Sequence, residues 1–438
     1  MEIILTIFYC ILFYWIIRKS SFFRFEKFTR LPAALFILKC VSGILLGLLY
    51  TYYYTNHQDA DSFKFFTDSK IMFDALYTHP WDFFRMLTGI DGKSNNLLHY
   101  YMEMNSWLNK NTLYNDNRTI VRLNAFFRFF SGGYYNVHVI FINFISFTGL
   151  FCLYKTFIQY STDRKIELLL LTFLLPSVIF WGSGLLKDGL LIAGFGFFIF
   201  TYSQLIKNGY TFKRILLLLI GFIILVLTKV YVFVIILPGI LAWLITRNYG
   251  KLKTTITFLL IYIFYLLAAF SIYRINDRYN IAAEIFYKQH NFIEIGEYHA
   301  ASMIKPIVFE CSGTSILQSS PRAFFNTLLR PLLTDVHGNP MILLSALENL
   351  LLLLIILLVV FAFKPCRKNE IQFVLFNVFF ILLLFMLIGL ITPILGAMVR
   401  YRIIALPSLI YLLVTFYDRE KLLKRLPFIK RKEKLLSA

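Results

Sequence analysis

Apolar residues in this chain gather into runs of membrane length, separated by short basic connections and by two long polar stretches. Runs near 2–17, 32–54, 134–157, 166–181, 186–205, 214–228, 230–246, 254–272, 341–363, 371–391 and 401–416 predict eleven crossings, because a spanning helix needs about 20 residues. Several runs are shorter than that, which little tilt or a re-entrant pairing accommodates. Stretches 176–184 and 227–231 read as tight outward turns between two such short helices. The pattern predicts an all-α, polytopic transmembrane helical protein of about eleven spans, with two long outer-face loops bearing interfacial helices.

The two polar stretches, 55–133 and 273–340, hold 14 of the 24 acidic residues. In the first, 78–87 predicts a short helix begun by Pro80, since proline suits the first helical position. A second helix is predicted over 117–130. There Arg118, Arg122 and Arg128 alternate with Leu123, Phe126, Phe127 and Phe130, as in an amphipathic helix lying on a membrane. Asp68 and Asp74 of this loop read as surface charges. The resulting division is 1–54 (N-terminal membrane helices), 55–133 (first outer loop), 134–272 (transmembrane bundle), 273–340 (second outer loop), 341–416 (C-terminal membrane helices) and 417–438 (basic cytoplasmic tail).

Composition agrees with this division. The chain is 58% hydrophobic and 18% aromatic, with a mean hydropathy of +0.68, above the roughly half-apolar soluble average. Its net charge of +20 belongs to the short connections and the tail, which carry 25 of the 44 lysines and arginines. The two long loops are charge-balanced. Positive residues stay cytoplasmic, so the tail is expected inside, and the N-terminus and both long loops outside. No basic stripe interleaves with aromatics on a soluble face, which argues against nucleic acid as a partner. The five cysteines are scattered without a CxxC pair, so a disulfide framework is not expected. Arg18 and Lys19 follow the first apolar run rather than precede it, the reverse of a cleavable signal. No Walker, GxGxxG, HExxH or zinc-type spacing occurs, so nucleotide cofactors and a structural metal site are not indicated.

Candidate chemistry lies where ionisable residues meet apolar runs. Asp59 and Asp61 follow the second run at once, beside His57. A carboxylate at a low-dielectric interface can act as a general base, and a pair at i, i+2 can also share a divalent cation; a solvated helix end is the plainer alternative. Lys187 and Asp188 sit in a glycine-bearing stretch between two apolar runs, where charges face a cavity or pair with each other. Lys229, between two short runs, either snorkels or meets a lipid phosphate. Glu348 lies one or two turns inside a span and needs a partner, for which Arg330 and the arginines near residue 400 are candidates. His337 is a loop histidine of lesser weight. Arg400 and Arg402 break an apolar region on the outer side, against the charge bias, and guanidinium forks suit phosphate oxygens. The costly charges are expected to line a common cavity.

An acidic pair in an outer loop after an early span, followed by interfacial helices and many apolar segments, resembles the GT-C class of membrane glycosyltransferases. The resemblance implies a polyprenyl-phosphate-linked sugar donor, a glycan or lipid acceptor, and a catalytic role for Asp59 or Asp61. Segments 176–189, 330–340 with Glu348–Asn349, and 396–402 also look like parts of bacterial envelope-polysaccharide assembly proteins, which implies the bacterial inner membrane. In GT-C enzymes the acidic loop follows the first span, whereas here it follows the second. Either residues 2–17 are an added helix or the match is to an O-antigen polymerase or ligase type, whose work falls to outer-face arginines such as Arg400 and Arg402. A flippase for the same lipids is a third class; it predicts repeated halves and paired broken helices.

Overall fold

A computed structural model describes residues 1–25, 28–52, 60–92, 94–105, 114–299 and 302–425. It is 82% helix, with no strand among the described residues. In chain order the helices are α1 (Glu2–Lys19), α2 (Leu31–Tyr52), α3 (Asp61–Thr78), α4 (Pro80–Thr88), α5 (Asn95–Glu103), α6 (Asp116–Ser131) and α7 (Tyr135–Tyr160). They continue with α8 (Lys165–Phe173), α9 (Pro176–Trp181), α10 (Lys187–Asn208), α11 (Phe212–Ile245), α12 (Lys251–Ser271) and α13 (Ile281–His299). The last are α14 (Gly313–Leu329), α15 (Pro340–Phe361), α16 (Ile371–Ile391), α17 (Leu395–Arg402), α18 (Leu406–Phe416) and α19 (Arg419–Arg425).

Among the described residues, seven helices are long and apolar enough to cross a membrane: α2, α7, α10, α11, α12, α15 and α16. An eighth arises if α17 and α18, bent by 64° at their junction, form one broken span. The chain is thus a multi-pass, membrane-embedded helical protein. Besides the bent α17–α18 pair, three places account for the difference between these seven, counted on length and composition, and the eleven expected. Helix α1 carries Glu2, Arg18 and Lys19 within 18 residues and is not among the seven. The run 166–181 is broken into α8 and α9. The runs 214–228 and 230–246 are two helices that meet at a kink at Lys229 (φ −147°, ψ 87°), where the chain doubles back far enough for Phe222 and Phe233 to meet at 4.8 Å; the pair is counted above as the single helix α11.

The chain divides into two compact units, one of residues 1–156 with 178–233, the other of 157–177 with 234–438. In the first unit, helices α3 to α6 share one core with α2 and α7. Phe65 and Met72 of α3, Phe83 and Met86 of α4, Leu97 of α5, and Ile120 and Val121 of α6 are fully buried. Helix α4 begins with Pro80 as its sequence predicts, and α6 starts at a side-chain cap, Asn115, whose Oδ1 accepts from the Asn117 and Arg118 amides. Helices α7 and α10 approach closely, because a Cβ on Gly196 would collide with the Gly149 carbonyl; small residues permit such contact where hydrocarbon gives no hydrophobic drive.

In the second unit an aromatic core joins α16, α18 and the ends of α7 and α11. Tyr160 stacks on Phe373 at 4.6 Å, and Phe157 on Tyr411 at 5.1 Å. Part of the expected second outer loop belongs to this packing. Helix α14 lies along α16, with Thr327 Oγ1 donating to the Phe385 carbonyl at 2.8 Å. Gln289 of α13 donates to the carbonyls of Ile307 and Leu390, both at 2.8 Å.

Candidate functional site

Helix α6 has the two faces its sequence predicts, with the arginines turned into the protein. Arg118, Arg122 and Arg128 are buried, while Phe126, Phe129 and Phe130 are 46%, 47% and 52% exposed. Hydrocarbon accepts phenylalanine and not guanidinium, so the arginines seek polar partners inside the protein. Arg118 Nη1 lies 3.8 Å from Asp68 Oδ2 and its guanidinium sits over the Tyr101 ring at 4.9 Å. Arg122 Nε donates to the Met86 carbonyl in the last turn of α4 at 3.0 Å, and cations favour helix C-termini. Arg128 donates to Ser69 Oγ at 2.9 Å and to the Phe66 carbonyl at 2.7 Å. Asp68 is therefore not a surface charge: it is 1% exposed and also accepts from Asn105. Burial, opposed by Tyr101, pulls Arg122 down to about 10, which leaves it a cation at neutral pH.

The stretch between α9 and α10, expected as an outward turn, lies instead against the middle of two membrane helices. Lys39 Nζ donates to the Gly182 carbonyl at 2.5 Å and to Ser183 Oγ at 3.0 Å. Asn143 Nδ2 donates to the Ser183 carbonyl and Ser146 Oγ to the Gly182 carbonyl, both at 2.9 Å. At 1.5 Å per residue, Lys39 is about 20 Å from the α2 end at Tyr52, and Asn143 about 12 Å from the α7 start at Tyr135. Non-helical backbone at that depth survives only where protein groups satisfy it, and these three side chains do so. Gly43 makes the approach possible, since a Cβ there would strike the Ser183 carbonyl and Asn143.

This buried loop delivers the start of α10 to a layer of paired charges. Lys187 Nζ lies 2.7 Å from Asp116 Oδ2 and 2.6 Å from Asn117 Oδ1, both on α6. Lys229, at the break in α11, lies 3.4 Å from Asp188 Oδ1, and both residues are buried. Thr119 Oγ1 of α6 donates to the Leu227 carbonyl at 2.9 Å. Beneath the layer runs a cavity of about 580 Å³, apolar apart from Thr119, Thr148 and Arg122. Helix α6 lines it with Thr119, Arg122, Leu123 and Phe126, α7 with Phe144, Ile145 and Thr148, α10 with Leu190 and Phe197, and α11 with Ile223, Ile224 and Leu227. Asp116 is one turn before Thr119, Lys187 one turn before Leu190, and Lys229 two residues beyond Leu227. Three of the helices that line the cavity therefore bring charges to the same end of it.

In the second unit the charges find main-chain partners. Arg402, 1% exposed, donates through Nη1 to the carbonyls of Thr327 at 2.9 Å and Arg330 at 2.8 Å, at the end of α14. Its Nε and Nη2 meet no partner among the described residues. Asn349 donates to the carbonyls of Leu329 and Pro331. Glu348 accepts from the Ser177 amide and hydroxyl, each at 2.6 Å, at the start of α9. Arg330 pairs with Asp335 at 2.8 Å. Arg400 is half-buried, and His337 is exposed with a φ of 39°.

Asp59 and His57 lie outside the described residues. Asp61 opens α3, half-buried. Lys187, Asp188 and Lys229 come together in the first unit; Arg330, Glu348 and Arg402 come together in the second, Arg402 meeting the Arg330 main chain. Sequence reasoning passed over Asp116 and Lys39. A lysine within a 22-residue apolar helix was the available signal for Lys39; Asp116, at a loop helix start, gave none. No protein-family model matches the chain, and no curated protein or solved structure matches it either.

Proposed function

We propose that this chain is a membrane glycosyltransferase, moving a sugar from a polyprenyl-phosphate donor to a glycan or lipid acceptor in envelope polysaccharide or glycoconjugate synthesis. The observation that carries this reading is the cavity of the first unit, an apolar pocket of about 580 Å³ whose lining residues Thr119, Leu190 and Leu227 lie within one helical turn of Asp116, Lys187 and Lys229. An isoprenoid chain fits the apolar walls, and a phosphate fits the lysines. Growth of negative charge on that phosphate as the sugar leaves is stabilised best by cations held in a low-dielectric site. A carboxylate of the first loop takes the proton of the acceptor hydroxyl; the sequence nominates Asp59 and Asp61. In the second unit, Arg402 and Glu348 hold main-chain groups at helix ends, and Arg330 pairs with Asp335. A divalent cation is not required by this mechanism.

We place the protein in the bacterial inner membrane with both long loops outside and the C-terminus cytoplasmic, from the lysine and arginine bias. The eleven-crossing topology additionally takes α1, the α8–α9 pair and both halves of α11 as crossings. Reporter fusions after residues 100 and 310 should read outside, and after 250 and 438 inside. The activity test is transfer of labelled sugar from an isoprenyl-phosphate donor by the purified protein in nanodiscs. No transfer over a panel of donor sugars and acceptors would end the reading.

One observation favours a flippase for the same lipids: paired breaks in two membrane helices, before Lys187 and at Lys229, joined by Asp188. Broken helices of this kind mark transport sites. Movement of intact lipid-linked sugar across vesicles, without transfer, would select it.

A further inference from the structure

We propose that Asp116 is the proton-accepting carboxylate, and that Lys187 latches it until a lipid phosphate arrives. The inference rests on the transferase reading and refines which residue does the work. Asn115 already caps α6, so the Asp116 carboxylate is not needed to satisfy the helix start. Its side chain is 42% exposed, whereas the Lys187 side chain it holds at 2.7 Å is 13% exposed. The accessible member of the pair is thus the acid. Helix geometry puts Asp116 on the stripe of α6 that continues through Thr119 and Leu123 into the apolar cavity, about 4.5 Å beyond Thr119. A lipid lying in that cavity brings its phosphate to Lys187 and its sugar to Asp116.

In the resting state the lysine neutralises the carboxylate and holds it away from an acceptor. The donor's phosphodiester carries one full negative charge on two non-bridging oxygens and competes with the carboxylate for the same ammonium group. Once Lys187 turns to the phosphate, Asp116 Oδ2 is released. It removes the proton from the acceptor hydroxyl as that oxygen bonds to the anomeric carbon. The bond from the anomeric carbon to the phosphate oxygen breaks, and its electron pair stays on the phosphate beside Lys187. Donor binding and base release are then one event.

Two measurements test this on the full-length protein in nanodiscs. In the transfer assay, Asp116→Asn, which keeps the contact to Lys187 but accepts no proton, should lose about 100- to 10,000-fold in rate, and Asp74→Asn, in an exposed pair with Lys70, should stay near wild type. A wild-type rate for Asp116→Asn overturns the inference and leaves the transferase reading intact. In the binding assay the probes are a C55 isoprenyl phosphate and the matching alcohol. Removing the competing carboxylate should tighten the phosphate in Asp116→Asn by about threefold to fivefold, the size of a partly exposed ion pair, without changing the alcohol. Equal or weaker phosphate binding contradicts the latch even if no sugar transfer is found, the outcome that defeats the transferase reading alone. If Asp116→Asn fails to accumulate, Asp116→Glu takes its place. It preserves the ion pair while displacing the carboxylate, so it should accumulate and bind the phosphate as wild type does, yet transfer at least tenfold more slowly; an unchanged rate would contradict the proposal.

Discussion

Ionisable residues are costly in hydrocarbon in both units of this protein, and the units differ in the buried lysine–carboxylate contacts that only the first sets beside an apolar cavity among the described residues. In the second unit they stitch the backbone: Arg402 and Asn349 hold the carbonyls ending α14, and Glu348 holds the amide and hydroxyl of Ser177 at the start of α9. In the first unit Lys39, Arg122 and Arg128 do the same, but Lys187 and Lys229 hold carboxylates, close to the residues that line an apolar cavity. A side chain bound to a carbonyl that no other group can satisfy has no freedom to meet a ligand. A side chain bound to another charge can exchange that partner for a stronger one. The cost of burial is therefore no guide to function; the identity of the partner is.

The contrast can be broken by substitution, and the largest effect should fall in the second unit. Arg402→Leu strips two buried carbonyls of their donors and should cost about 3–5 kcal/mol, read as a lower melting temperature in detergent or as failure to accumulate. A melting point like wild type would return Arg402 to the list of substrate ligands. Lys187→Gln should do the reverse, with little change in melting but at least tenfold weaker binding of an isoprenyl phosphate. Gly43→Ala sharpens the role of the buried loop. Its methyl would press on the Ser183 carbonyl and Asn143, so about 1–3 kcal/mol should be lost, together with the placement of Lys187. The smallest effect belongs to Lys70 and Asp74, an exposed pair one turn apart. Asp74→Asn should change stability by no more than about 0.5 kcal/mol, and a larger loss would show that polar positions on α3 matter more than their exposure implies.

Much of this was legible in the chain, and what was not has identifiable causes. Apolar runs gave the helical membrane class, Pro80 gave the start of α4, and glycines and Lys229 marked the two helix breaks. The two faces of α6 were legible, but not that its arginines meet protein groups rather than water, because those partners lie on α3 and α4. Asp68 looked like a surface charge for the same reason: its partner, Arg118, is 50 residues away and faces inward. The depth of the loop at 182–184 depends on Lys39 and Asn143, whose donors reach it from distant parts of the chain. The number of crossings was less legible, because apolar runs do not reveal whether a break separates two crossings or lies within one, as between α8 and α9 and at Lys229.

The central claim is that the charge-capped cavity of the first unit is where a phosphate-headed isoprenoid lies. It is tested most directly by photo-crosslinking with an isoprenyl phosphate carrying a diazirine near the far end of its chain, followed by peptide mapping. The account predicts labels on Leu123, Phe126, Ile145 or Ile223, lost in Lys187→Gln and absent with the corresponding alcohol. Labelling centred on α14, α15 or α17, or labelling indifferent to the phosphate, would contradict it.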